Sequence, residues 1–423
     1  MKFSKEERSW IMYDWADSVF STIMLASVFP AFFVEMAGGT GGSMWWAFGN
    51  STARFIVGVF APFVGSLIEF KSYKKRLLVM FIMLGVLFTF ATSFIYTWQL
   101  LLVGYVFSRI FHAAAFQVYD SFLPDVTTKE RMDRVSATAY AFGYIGGSTI
   151  PFAISIVLIT FGGDFGIGTD LAVRISIVIT AVWWGLFSIP VIKNVTHKHE
   201  KEIVKGKVFK STVSKAFETA KKIWRNKGLR IFILGYFLYI DGVGSVIQMA
   251  TAYGAEIGLS TQNMIFALFV TQIVAFPFSI LFGKFAKSIG SINLIITSII
   301  IYFFICIVGF TMGFGLEEEF FGIDTATILF FVLAILVGTV QGGIQSISRS
   351  TFGKLIPKEE SGSYFGFFEI FSRFAAILGP GIYGLIFSLT GRPSFSILSI
   401  ITLFFAGLVV MVYGRKHIIS QIV

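Results

Sequence analysis

Long apolar runs separated by short polar connectors fill most of the chain. Twelve reach the roughly 18 residues that mark a helical membrane span. They cover approximately 10–36, 44–69, 77–97, 98–123, 135–161, 171–192, 229–254, 261–283, 290–314, 325–348, 363–389 and 394–414. None shows the polar–apolar alternation of a barrel strand. The pattern predicts an all-α polytopic membrane protein with twelve transmembrane helices. The longest polar stretch, 193–228, divides the runs six and six. The expected organisation is a six-helix bundle over 1–192, a basic linker over 193–228 and a second six-helix bundle over 229–423. Within the linker, Val213, Ala216, Phe217, Ala220, Ile223 and Trp224 recur at helical spacing, with Lys215, Lys221 and Lys222 off that stripe. Two readings stand side by side: an amphipathic helix against anionic inner-leaflet lipid, or a solvated charged connector.

The halves echo each other. Asp14-x3-Ser18-Val19 and Asp241-x3-Ser245-Val246 are 227 residues apart. Lys129-Glu130 with Pro151, and Lys358-Glu359 with Pro380, are 229 apart. Similar offsets at two separated places point to an internal repeat. Parallel six-helix repeats are a transporter architecture, with the solute site near the midplane between them. Small residues mark close helix packing at Ala139, Gly143, Gly146 and Gly147, at Gly379, Gly381 and Gly384, and at Gly338, Gly342 and Gly343. Pro151 and Pro380 are expected to bend their helices and serve gating.

Composition sharpens this picture. The 423 residues are 55% hydrophobic and only 14% charged, against about 25% charged in soluble domains. The net charge of +10 suggests nucleic acid until its distribution is read. Of the 34 Lys and Arg residues, 29 fall at the ends and connectors of one side, together with both termini. The other side carries Arg174, Arg392 and an acidic set that includes Asp164, Asp170, Glu256 and Glu317–Glu319. The positive-inside rule then places both termini in the cytoplasm, and no nucleic-acid partner is expected. Cys306, the single cysteine, lies in an apolar run and reads as packing. The first run is too long for the apolar core of a cleavable signal, and short loops favour a bacterial plasma membrane. No nucleophile–base pair, phosphate loop or metal motif stands out. Gly162–Gly168 is glycine-rich but reads as a flexible outer connector. Neither enzyme activity, catalytic residues, cofactor nor metal is expected, and a monomer is.

The charges inside the apolar runs carry the chemistry. Asp14, Asp17, Asp241, Glu369 and Asp120 face three arginines, Arg54, Arg109 and Arg373. A carboxylate in hydrocarbon costs roughly 2.5–3.5 kcal/mol on insertion scales, so such groups mark solute or ion paths by default. Five acids against three cations leaves an excess that proton uptake relieves, because burial without a counter-charge favours the neutral form. Asp14, Asp17, Asp241 and Glu369 are therefore candidates for proton and solute coupling. The bland alternative is static ion pairing, such as Asp17 with Arg109 or Glu369 with Arg373. Arg54, Arg109 and Arg373 have the fork geometry to hold an anionic group on a solute. Tyr13, Tyr239, Gln117, Gln248, Gln341 and Gln345 add neutral hydrogen bonding. His112, one turn from Arg109, reads as a proton relay or, more simply, as a packing histidine. Glu69, Asp120 and Arg349 sit where a basic-side gate would be.

Three segments resemble the vacuole-effluxer-like group of the major facilitator superfamily: Tyr13-Asp-Trp-Ala-Asp-Ser18, Leu238-Tyr-Ile-Asp-Gly-Val-Gly-Ser-Val246, and Gly342-Gly-Ile-Gln-Ser-Ile-Ser-Arg-Ser350 with Ile356-Pro357. The resemblance runs over essentially the whole chain. It implies a major facilitator fold, alternating access, and export of amino acids or similar metabolites. Two departures matter. Asp17 stands where the group has Asn, and Lys287 occupies the acidic position of the second half's inner loop, which puts the usual charge lock there in question. The expected function is proton-coupled secondary transport of a small polar, amino-acid-like solute. A membrane scaffold or sensor docking partners through the basic linker, and a lipid-handling facilitator, are the alternatives.

Overall fold

A computed structural model describes residues 2–38, 40–199, 208–312, 319–320 and 323–422. Part of the linker and the residues Glu317 and Glu318 therefore lie outside the described residues. Among the described residues, twelve helices are long and apolar enough to cross a membrane. We number them spans 1–12: Lys5–Met36, Gly41–Leu67, Tyr73–Thr92, Trp98–Val126, Met132–Phe165, Thr169–Asn194, Lys227–Ala250, Gln262–Ile289, Ser291–Met312, Thr325–Leu355, Lys358–Thr390 and Pro393–Ile422. The chain is a multi-pass, all-α membrane protein. Its one ladder among the described residues is a two-residue antiparallel pair, Glu319–Phe320 with Ile323–Asp324. The connector Gly162–Gly168 has regular structure at its start, Gly162–Phe165. It folds as a 3₁₀ turn closed by Gly166 at φ +75°, a conformation that glycine adopts without a Cβ penalty.

Local chemistry starts the helices where the pattern begins. Ser4 caps span 1 by accepting from the Glu7 N–H at 3.1 Å, while the Glu7 carboxylate accepts from the Ser4 N–H at 2.8 Å. This reciprocal box satisfies two amides the helix leaves open. Asn226 caps span 7 through the Leu229 N–H, and Ser260 caps the helix of span 8.

The chain forms two compact units. One comprises Met1–Lys129, Phe142–Ala220 and Ile356–Ile370; the other comprises Glu130–Ala141, Lys221–Leu355 and Phe371–Val423. They depart from the 1–192 and 229–423 bundles at two short places. The start of span 5 packs with the second half's helices, and the start of span 11 packs with the first half's.

Missing side chains permit both exchanges. In the first unit, a Cβ on Gly366 would lie 2.6 Å from the Ala61 carbonyl and 3.2 Å from the Cα atoms of Pro62 and Gly65. In the second, a Cβ on Gly283 would lie 2.8 Å from that of Ala137. Without a hydrophobic drive between helices in lipid, such close backbone approach is a main source of association.

The glycine faces behave unequally. Gly143 and Gly147 pack on Asp14 and Ser18, and Gly146 lies under the Trp15 ring. Gly379 packs on Ser245, whereas Gly381 and Gly384 face open space. Gly338 and Gly343 lie against Val274 and Phe282 of span 8. The two prolines differ as well. Pro151 follows a π-helical stretch, Gly143–Thr149, while Pro380 sits inside the uninterrupted helix Ser361–Thr390.

The linker carries a helix, Val208–Arg225. Its buried stripe is Thr212, Ala216, Thr219 and Ile223, while Phe217 and Trp224 are exposed. The expected single apolar face is thus two: one covered by protein, the other open.

These contacts predict that Gly366→Val lowers the melting temperature of the purified protein by several degrees, since overpacking costs about 1–3 kcal/mol. Gly384→Val is expected to leave it unchanged. A thermal melt of both variants checks the difference.

Candidate functional site

In the first unit the acidic residues of span 1 meet the middle of span 4. Tyr13, Asp14 and Asp17 are all buried. The Asp17 Oδ1 lies 2.9 Å from the His112 Nε2, without the alignment of a formed hydrogen bond. Asp17 thus meets a titratable partner directly, whatever Arg109 adds one turn away. The imidazole stacks on Phe20 at 4.1 Å between centroids and meets Trp184 edge-on at 5.3 Å. The Trp184 Nε1 in turn donates to the Tyr13 hydroxyl at 3.4 Å. A carboxylate and an imidazole thus face each other beside Phe20 and Trp184.

Around this pair, Arg109 and Asp120 are buried on span 4, and Arg54 is half-buried on span 2. Gln117 is already committed: its Nε2 donates to the Ala61 carbonyl at 2.7 Å, tying span 4 to span 2. Sequence reasoning offered His112 as a proton relay or, more simply, a packing histidine. Its spacing, five residues before Gln117 and three after Arg109, placed it on the same helix but could not show that Asp17 lies opposite.

In the second unit Asp241 is fully buried. Its partners are neutral. The Gly379 N–H donates to Oδ1 at 3.1 Å and Oδ2 at 3.2 Å. Ser245 donates to the Asp241 backbone carbonyl at 2.7 Å, with Oδ1 3.5 Å away. No cation pairs with Asp241 among the described residues. The Ser one turn after each repeated Asp therefore has a packing reason: Ser18 and Ser245 both lie against glycines, of span 5 and span 11.

Tyr239 shares a 2.7 Å hydrogen bond with Ser348. Gln345 donates to the Gln341 carbonyl at 3.1 Å, Gln341 is buried and Gln248 is exposed. Glu369 is buried and Arg373 half-buried, one turn apart on span 11. No group of three or more His, Cys, Asp or Glu side chains forms a metal-binding arrangement among the described residues.

Comparison with known proteins decides the family. The model of the vacuole effluxer Atg22-like family matches residues 43–416. The chain belongs to that family. It is 38% identical to the uncharacterized MFS-type transporter YxiO of Bacillus subtilis (strain 168), over 97% of this chain and 95% of that one. It is 27% identical to autophagy-related protein 22 of Yarrowia lipolytica, over 67% of this chain and 51% of the fungal one, so it spans about half the length of that relative. Two solved structures share the fold. The human organic anion transporter MFSD10 superposes with a TM-score of 0.71 at 10% identity, over 96% of this chain and 99% of that one. A bacterial homologue of the iron transporter ferroportin, in an outward-facing state, does so with 0.65 at 12% identity, over 97% and 98%.

This effluxer-family chain ties its exchanged helix ends with buried charge. In the first unit Lys74 donates to the Ser121 carbonyl at 2.8 Å, Asp125 at 2.7 Å and the Ser361 hydroxyl at 3.1 Å. Glu69 accepts from the Ser363 N–H at 3.0 Å, at the start of span 11, and pairs with Lys215 of the linker helix. In the second unit Asp133 of span 5 accepts from Ser350 at 2.6 Å and Ser291 at 2.9 Å, and pairs with Lys354. Arg349 donates through Nε to the Ser136 hydroxyl at 2.9 Å and through Nη2 to its carbonyl at 3.2 Å.

The second unit thus has a charge lock of its own, Asp133 with Lys354, away from Lys287, which is exposed. Asp125 and Lys354, which the sequence reading missed, are 229 residues apart. That is the repeat offset, so the repeat itself held the signal.

Truncating Asp133 leaves Lys354 buried without its ion-pair partner, at a cost of about 3–5 kcal/mol. Asp133→Ala is expected to lose much of its thermal stability, and Asp133→Leu with Lys354→Met to regain most of it. Thermal unfolding of the two variants beside the parent protein checks this.

Proposed function

We propose that the chain is a secondary active transporter that alternates access to a small polar, amino-acid-like solute, is coupled to protons, and runs as an exporter. The observation that carries the reading is Asp241. It is a buried carboxylate in a membrane span, held by backbone amides and a serine, with no cation paired to it among the described residues. An ionised carboxylate accepts from the Gly379 amide strongly, because charge-assisted bonds are about twice as strong as neutral ones. Protonation weakens that hold. The amide immediately precedes Pro380, so the proton state of span 7 acts on span 11 where its helix is least able to bond to itself. The Asp17–His112 pair gives the first unit a second place to hold a proton, and Asp14 and Glu369 complete the acidic set.

Arg54, Arg109 and Arg373 supply cationic forks for a solute carboxylate, with Gln248 and Gln341 as neutral partners. Tyr13, Tyr239, Gln117 and Gln345 already serve packing bonds and act mainly by placing the helices. Glu69, Asp120, Arg349, Pro151 and Pro380 remain the gating set. Export follows the family description, vacuole effluxer. The setting is a bacterial inner membrane with both termini cytoplasmic, on the charge asymmetry, as a monomer. The linker's described ends are fastened to the protein itself, Lys198 to Glu6 and Lys215 to Glu69, which argues against its being only a free docking surface.

Solutes are first found by a thermal-shift screen against amino acids, peptides and nucleosides. In proteoliposomes, Asp241→Asn is expected to abolish transport driven by a pH gradient while keeping solute exchange at equal pH. Full gradient-driven flux in Asp241→Asn, Asp17→Asn and Asp14→Asn alike would sink the coupling.

A further inference from the structure

The helix Val208–Arg225 has an edge that nothing in the protein covers. Phe217 is 72% exposed and Trp224 55% exposed. Seven residues apart, they lie on one line two turns long. Half-buried Val213 and Ala220 join this edge to the covered stripe of Thr212, Ala216, Thr219 and Ile223. Exposed Lys221 and Arg225 border its other margin.

The helix is not free to roll this edge inward. On the far flank Lys215 pairs with buried Glu69 and lies 5.4 Å over the Phe70 ring. At its end the Arg230 guanidinium donates to the Trp224 carbonyl at 3.1 Å. Only Asn226 separates Arg225 from span 7, which begins at Lys227. The edge therefore emerges at the level where a span meets the bilayer surface.

We propose that this helix is an interfacial anchor that seats Phe217 and Trp224 among the headgroups of an anionic bilayer, with Lys221 and Arg225 against the lipid phosphates. Aromatic rings with basic neighbours are the composition of in-plane membrane helices, and Trp favours that depth. Each basic residue near an anionic surface strengthens binding about fivefold. A soluble protein or a second copy of the chain offers no comparable reason for an aromatic edge beginning one residue from a span. The solute pathway does not enter this inference, so it stands or falls separately from transport.

The test uses the full chain with Cys306→Ser, labelled with an environment-sensitive dye at Phe217→Cys or, on the polar side, at Glu218→Cys. Phe217 and Glu218 are exposed, and the buried Cys306→Ser change is common to both labelled proteins, so a thermal melt against the parent checks folding once for the pair. In nanodiscs of phosphatidylcholine with phosphatidylglycerol, the dye at 217 is expected to be quenched by nitroxide-bearing lipid. Acrylamide should reach it several-fold less than the dye at 218. Lys221→Gln with Arg225→Gln should restore acrylamide access. Equal access at 217 and 218 overturns the proposal. So does protection that is unchanged by the double substitution and by pure phosphatidylcholine. So does protection in lipid-free detergent that grows with protein concentration, which would assign the edge to a second copy.

Discussion

A carboxylate withdrawn from water must find its partner inside the protein, and in a bilayer there is no other supplier. Asp241 meets that demand with a backbone amide of another helix. An α-helix ordinarily keeps its N–H groups for itself. Span 11 shares one, the N–H of Gly379. The absence of a side chain at Gly379 lets Ser245 and the carboxylate approach that backbone. Remove the glycine and the serine has no room. Two small features of sequence, the serine one turn after Asp241 and the bare Gly379, thus converge on one contact between spans 7 and 11.

The first half solves the same packing problem with different chemistry. Ser18 again lies against glycine, at Gly143 and Gly147, but there the helix of span 5 relaxes into π turns before Pro151. Wide turns of this kind accumulate at functional positions. Its carboxylate chemistry has moved one turn along span 1, to Asp17, whose partner His112 is itself titratable. One half therefore holds a buried carboxylate by a backbone amide of another helix, and the other sets one against an imidazole. The scaffold repeats, but the surroundings of its buried acids do not.

Much of this was legible in the sequence. The twelve spans follow from run length alone, and the repeat follows from two offsets of 227 and 229. Asp14, Asp17 and Asp241 stood out because hydrocarbon penalises them. What escaped was pairing across large separations. Nothing in the spacing of Asp17 and His112, 95 residues apart, says that their side chains meet. The linker stripe was read as one face because helical periodicity cannot tell a protein-covered row from an open one beside it; the burial of Ile223 and the exposure of Trp224 separate them. Asp133 escaped because its register lies eight residues past Asp125, outside the aligned acids of the repeat.

The two locks show why that omission matters. Asp125 and Lys354 occupy matching positions in the repeat but carry opposite charge. Lys74 answers Asp125 within the first half, and span 11 meets that lock through hydrogen bonds at the Ser361 hydroxyl, the Ser363 amide and the Ser363 hydroxyl, which lies 3.3 Å from that of Ser66. Lys354 has no acid at the matching place in its own half and takes one from span 5, Asp133. Separating span 11 from spans 2 and 3 therefore breaks hydrogen bonds, each worth about 0.5–1.5 kcal/mol net and somewhat more where Glu69 is the acceptor. Separating span 5 from span 10 parts a buried ion pair, at about 3–5 kcal/mol if neither charge finds another partner. A rearrangement that moves both helix ends meets its larger resistance at Asp133. Lys215 adds an ion pair at Glu69, but that pair joins the linker helix to the end of span 2 and leaves span 11 held there by hydrogen bonds.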